Sequence, residues 1–93
     1  MPDAARLDLL LKNTGIVPRR TVAKRACDQG LVELNGVSAK AAASVKVGDT
    51  ITVRVGMKVT RHEVLQIPAR AVPKSHRGDY VGLISTEKVE LDI

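Results

Sequence analysis

The sequence predicts an α+β domain, two short packed helices against a small, mainly antiparallel sheet, followed by a C-terminal extension. Three features carry that expectation. Two segments with helical apolar spacing stop at Gly15 and Gly30, an Asn35-Gly36 pair separates two short β-forming runs, and two more strand-like runs follow at 50–55 and 59–67. A chain of 93 residues is long enough for one core and too short for two. That core has to be aliphatic, because hydrophobic residues make up 44% of the chain while Tyr80 is the only aromatic.

In 3–13 and just beyond, Leu7, Leu10, Leu11 and Thr14 recur at the i, i+3, i+4, i+7 spacing of an amphipathic helix. Asp3 is its expected N-cap and Gly15 its stop, with Arg6 and Lys12 facing outward. Pro18 disfavours helix in the residue before it and presets a new start, so the second helix is 19–29. Val22, Ala23, Ala26 and Cys27 give it a small apolar face for close packing, and Gly30 supplies a left-handed stop. The run 31–34 turns through Asn35-Gly36, the preferred pair of a type I′ hairpin turn, into 37–39. A loop at 40–44 and the run 45–47 lead to the Gly48-Asp49 turn and the strand 50–55, where Ile51, Val53 and Val55 share a face. After a turn at 56–58, a strand over 59–67 ends at Pro68. Pro68, Pro73 and Gly78 mark 68–79 as a linker, 80–84 reads as an apolar anchor of one helical turn, and 87–92 as an acidic tail. The expected organisation is a domain over 1–67 with its core motif at 6–53, the linker 68–79, and the anchor and tail at 80–93.

Charge separates these parts. Residues 1–30 hold six Lys/Arg against three acids, 31–60 four against two, and 61–93 five against five, so the formal net charge of +5 is N-terminal. Such a surface seeks a polyanion, since Lys and Arg neutralise phosphates and release condensed counterions. No apolar run approaches the roughly 20 residues that span a bilayer, no charged-then-apolar leader is seen, and lone Cys27 has no disulfide partner. A cytoplasmic protein without membrane contact is expected. Cys27 reads as a small core residue, and His62 and His76 lack further ligands at metal spacing. No metal or other cofactor is implied.

Arg6-Leu7-Asp8, Arg19-Arg20-Thr21 with Ala23, the run from Gly30 to Gly36, Lys40, and Val45-Lys46-Val47-Gly48-Asp49 before an alternating strand together resemble the alpha-L RNA-binding motif, the module named after small-subunit ribosomal protein S-four. The match runs in order over about half the chain. Arg19 through Lys24, with Asp28-Gln29-Gly30 behind, is similar to helix two of the stand-alone RqcP (YabO) family of ribosome-associated quality-control factors. That resemblance implies binding to large ribosomal subunits carrying obstructed peptidyl-tRNA, near rRNA and tRNA, and support of alanine tailing with the partner RqcH. The heat-shock-induced ribosome-binding rescue proteins share the motif but typically carry a longer basic C-terminal extension, where this chain is acidic. Leu9 stands where relatives often have a basic residue, which reduces the helix-one contribution.

The residue types suit folded RNA. Arg19, Arg20 and Thr21 open a helix, where free N–H groups and the positive dipole end favour phosphate; Arg20 adds a bidentate fork. Lys24 lies one turn on, Arg6 comes from the adjoining helix, and Arg25, Lys12, Asn35 and Lys40 extend the candidate surface. Asp8 is read as a strut that orients an arginine. One aromatic is too few for a single-strand platform, so backbone recognition of structured RNA is expected. The same motif is found attached to pseudouridine synthases and tRNA synthetases, but the chain lacks room for a catalytic domain and shows no nucleophile-base pairing or phosphate loop, so no catalytic residue is assigned. A non-enzymatic monomer is expected. A large-subunit rescue factor of the heat-shock-induced type, a general structured-RNA module and a protein-interaction module using the neutral C-terminal third are the competing readings.

Overall fold

A loop from the middle of the chain sets where the first helix begins. In the computed structural model, which describes residues 3–88, the order is β1 (Ala4–Arg6), α1 (Leu7–Thr14), α2 (Arg20–Asp28), β2 (Val32–Leu34), β3 (Val37–Ser38), β4 (Ser44–Lys46), β5 (Thr50–Val55), β6 (Lys58–Val64), a 3-10 segment (Lys74–Asp79) and β7 (Val81–Lys88). Leu7 N–H donates to the Ala43 carbonyl at 2.9 Å and Asp8 N–H to the Ala41 carbonyl at 3.1 Å. Leu9 N–H donates to Oδ1 of Asp8 at 2.8 Å. These are donors that a helix start leaves without intrahelical partners. Asp3 is therefore not the N-cap. Arg6 takes that position in extended geometry, and residues before it pair antiparallel with β4, Ala5 opposite Val45. Ala-Ala-Arg has helical propensity, and strand pairing overrides it.

The two helices bury a compact aliphatic stripe. Leu7, Leu10 and Leu11 are fully buried, and Ala23 and Cys27 of α2 meet them in one cluster with Val32, Val45, Ile51, Val53 and Val64. Val22, read as part of that face, is 46% exposed. Gly15, at φ +77°, ends α1, and Gly30, at +74°, follows α2; after Gly30, Leu31 N–H reaches back to the Ala26 carbonyl at 2.9 Å. Such a left-handed position suits glycine, which has no Cβ to clash.

Five strands form the main antiparallel sheet, in the order β3-β2-β5-β6-β7. Asn35 and Gly36, at φ +53° and +84°, make the expected turn, and Leu34 pairs with Val37. Ile51 and Val53 lie in the core cluster with the helix residues; Val55, two residues on, is 65% exposed. β6 stops at Val64 rather than at 67.

The C-terminal part departs most from expectation. The segment 80–84 is not a helical turn: Val81 opens β7, which pairs with β6 through an irregularity at Arg61/His62. Glu87 and Lys88, expected in an acidic tail, lie in that strand, and Glu87 pairs with Arg61 at 3.2 Å; 89–92 lie outside the described residues. The stretch 68–79, read as a linker, is strapped to α1. Val72 N–H donates to the Asn13 carbonyl at 2.8 Å. Arg77 caps the C-terminal end of α1, its Nε donating to the Thr14 carbonyl and its Nη2 to the Gly15 carbonyl, each at 2.7 Å. A cation is favoured at that end of a helix.

Replacing Arg77 with Ala is expected to cost about 1–3 kcal/mol, because charge-assisted hydrogen bonds to two carbonyls are lost. Gly15→Ala is expected to cost a similar amount, since its φ is left-handed and a Cβ there would lie 2.5 Å from Nη2 of Arg77. Urea unfolding measures both; wild-type stability for Arg77→Ala would mean that the strap is not fixed by this residue.

Candidate nucleic-acid interface

A single buried carboxylate draws two arginines together. Asp8 is 1% exposed because it sits in the first turn of α1 beneath the 40–43 loop. Its Oδ1 accepts from Arg6 Nε at 3.2 Å, and its Oδ2 accepts from Arg6 Nη2 at 3.4 Å and from Arg20 Nε at 3.3 Å. Both arginines remain about half exposed, 51% for Arg6 and 49% for Arg20. A guanidinium has five N–H donors and spends only one or two here, so each keeps donors for an external acceptor. Two cations around one anion leave the cluster positive.

Burial pushes the Asp8 carboxyl upward. Hydrogen bonds from Arg6, from Arg20 and from Leu9 N–H, with the charge of Arg20, more than offset it and hold the group below its ordinary 3.8. The carboxylate is thus ionised at neutral pH and fixes the trio electrostatically. Cys27 behaves oppositely: burial first, then the charges of Asp8 and Asp28, push its thiol to about 11. It is a protonated core group and no nucleophile at neutral pH.

The remaining candidates fall into four places. Arg19, Thr21, Lys24 and Arg25 are exposed on or beside α2, whose N-cap, Arg19, makes no side-chain cap hydrogen bond. Lys24 lies one turn beyond Arg20, and Lys12 is half-buried on α1. Lys40 is exposed and immediately precedes Ala41, whose carbonyl caps Asp8, so its backbone begins beside the arginine pair. Asn35 stands apart. Its Nδ2 donates to Asp49 Oδ1 at 3.2 Å and its Oδ1 accepts from Thr50 N–H at 2.9 Å, stitching two turns together.

Sequence reasoning missed the capping carbonyls of Ala41 and Ala43, which nothing in two alanines announces. It also missed Arg77, whose partner lies more than 60 positions away in the chain. Among the described residues no group of three or more His, Cys, Asp or Glu is placed to hold a metal ion. No helix among them is long and apolar enough to cross a membrane.

The S4 domain family matches residues 5–51, from β1 into β5. The RQC P-site tRNA stabilizing factor of Bacillus subtilis strain 168 is 45% identical over 62 residues, covering 67% of this chain and 72% of that protein. The protein of the same name from Streptococcus pneumoniae is 36% identical over 88 residues, covering 95% and 99%. Among solved structures, the trimeric Heat Shock Protein 15 of Vibrio cholerae superposes with a TM-score of 0.82 at 24% identity, covering 88% of this chain and 83% of that one; it shares the fold.

The carboxylate gives the site a pH signature. Because Asp8 is depressed in the fold, the unfolded chain takes up the proton first as pH falls. Its contribution is complete above about pH 4 and is lost as pH drops through the lower, folded-state value. Thermal melts from pH 7 downward should show a fall in stability below about pH 4 that is smaller in Asp8→Asn, a variant expected to be about 1–3 kcal/mol less stable at neutral pH. An identical acid profile in both proteins would contradict the depressed carboxylate.

Proposed function

The chain belongs to the S4 domain family, and from that membership we propose that it is a non-enzymatic RNA-binding factor of the large ribosomal subunit. One observation supports the reading above others: the Asp8 carboxylate holds Arg6 and Arg20 side by side, next to a helix start without a side-chain cap. Phosphate oxygens spaced along a folded RNA backbone fit such a fork, and preset guanidinium groups lose less side-chain freedom on binding than free ones. Lys24, Arg19, Thr21 and Arg25 extend the contact along α2, with Lys12 from α1 and Lys40 from the capping loop.

The finer reading rests on the relatives, named for stabilizing a P-site tRNA. On it, the protein works in the cytoplasm as a monomer on subunits whose peptidyl-tRNA is obstructed. It touches both rRNA and tRNA, and supports alanine tailing of the stalled chain with RqcH. The arginine pair then holds the tRNA or the adjoining rRNA backbone while the reaction is carried out elsewhere.

Co-sedimentation with separated large subunits tests the broad reading. Binding should fall steeply with salt, and Arg20→Ala should both weaken it and make the slope of log K against log salt shallower by about one. Binding indifferent to salt and to Arg20 would refute it. For the finer reading, deleting the gene should abolish alanine tails on stalled chains; tails that persist would remove that role while leaving RNA binding in place.

A further inference from the structure

The strap between β6 and β7 forms a half-open hollow separate from the arginine pair. Its neck is closed by Leu65 and Gln66 N–H donating to the Tyr80 carbonyl at 2.8 and 3.2 Å, and by Gln66 Nε2 donating to the Asp79 carbonyl at 3.1 Å. The loop is pinned to α1 through Val72 N–H and through Arg77. A compact loop with its ends tied in this way is preformed rather than induced. Inside it, Ile67, Pro68, Ala69, Ala71, Val72 and Pro73 line a hollow of about 300 Å³, together with Arg70, His76 and Tyr80. That volume is at the small end of the roughly 300–1,000 Å³ of small-molecule sites, enough for a heterocyclic base with part of its sugar and too small for a helix or a peptide strand.

Chemistry narrows the occupant. The one aromatic ring of the chain, Tyr80, and an imidazole, His76, both border an otherwise apolar hollow, which suits a flat π-face. Around it the loop carries Arg70 and Lys74, both exposed, and neither forms an ion pair among the described residues. Its acid, Asp79, is 3.6 Å from His76 Nδ1. An apolar slot with a ring on its wall and free cations nearby complements a base with its phosphate, whereas a neutral aliphatic side chain would leave the cations without a counterpart.

We infer that this cavity receives one unpaired nucleotide of the bound RNA, its base against Tyr80 and its phosphate toward Arg70 and Lys74. A single ring supports a single stacked base, so the pocket adds one anchor point to the backbone contacts of the helix pair and forms no single-strand platform. The inference extends the RNA-binding reading but uses none of its residues.

The aromatic proton spectrum of the full chain contains only Tyr80, His62 and His76, and His62 lines a different groove, with Ile16 and Val53. Titration with hexaadenylate should shift the Tyr80 and His76 ring signals saturably, leave His62 in place, and weaken roughly tenfold in Tyr80→Leu, read at His76. Arg70→Ala should weaken it too, with an unchanged melt. Equal shifts with ribose 5-phosphate would reduce the pocket to an anion patch and overturn the inference. So would binding of AMP without hexaadenylate, which would make it a free-nucleotide site, or no shift at all. Large-subunit co-sedimentation of the same variants separates the two readings: if it persists while the rings do not respond, only the pocket assignment falls.

Discussion

The structure depends on a carboxylate that is taken out of water and never left alone. Asp8 is buried among Arg6, Arg20 and Leu9 N–H, so β1, the start of α1 and the start of α2 all converge on one group. Burying an ion is costly unless its lone pairs are met, and here three separate segments meet them. The constraint works outward as well. Fixing the inner donors of two arginines leaves their outer donors aimed as a set, and the cations proposed to meet RNA are the ones that make the buried acid tolerable.

The helix pair was legible because its signals are local. Leu7, Leu10, Leu11 and Thr14 declare a stripe, Gly15 and Gly30 declare stops, and Asn35-Gly36 fixes the hairpin register through backbone conformations that few other residues adopt. Asp8 and Arg20 were readable as strut and cation for the same reason, standing at helix starts. What escaped was non-local. β1 exists only because Val45 comes back to pair with Ala5, and Ala-Ala-Arg bears no mark of it. The strap looked like a linker because prolines and a glycine punctuate it, whereas its order comes from Arg77 reaching back to α1. β7 hid its alternation, since Leu83 and Ile84 are both exposed beside a register shift.

The two ends of α1 are finished by different parts of the chain. Its N-terminal donors go to the 40–43 loop, its C-terminal carbonyls to Arg77. An eight-residue helix is marginal alone, and these two distant contacts, with the leucine stripe, hold it at a defined angle to α2. The arginine pair therefore inherits its geometry from the whole chain. The C-terminal third, electrically neutral and weakly patterned, belongs to the support of the site as much as the basic helices do.

A double-mutant cycle on RNA affinity tests the central claim, that Asp8 presents Arg20 to phosphate. Asp8→Asn, Arg20→Ala and the pair together would be titrated against large subunits, with Lys24→Ala as the control partner and melts to confirm folding. Asp8→Asn should weaken binding although it removes a negative charge. Its effect should largely vanish once Arg20 is gone, with a coupling of about 0.5–3 kcal/mol against near additivity for Lys24. Tighter binding by Asp8→Asn, or additive losses with Arg20→Ala, would contradict the account.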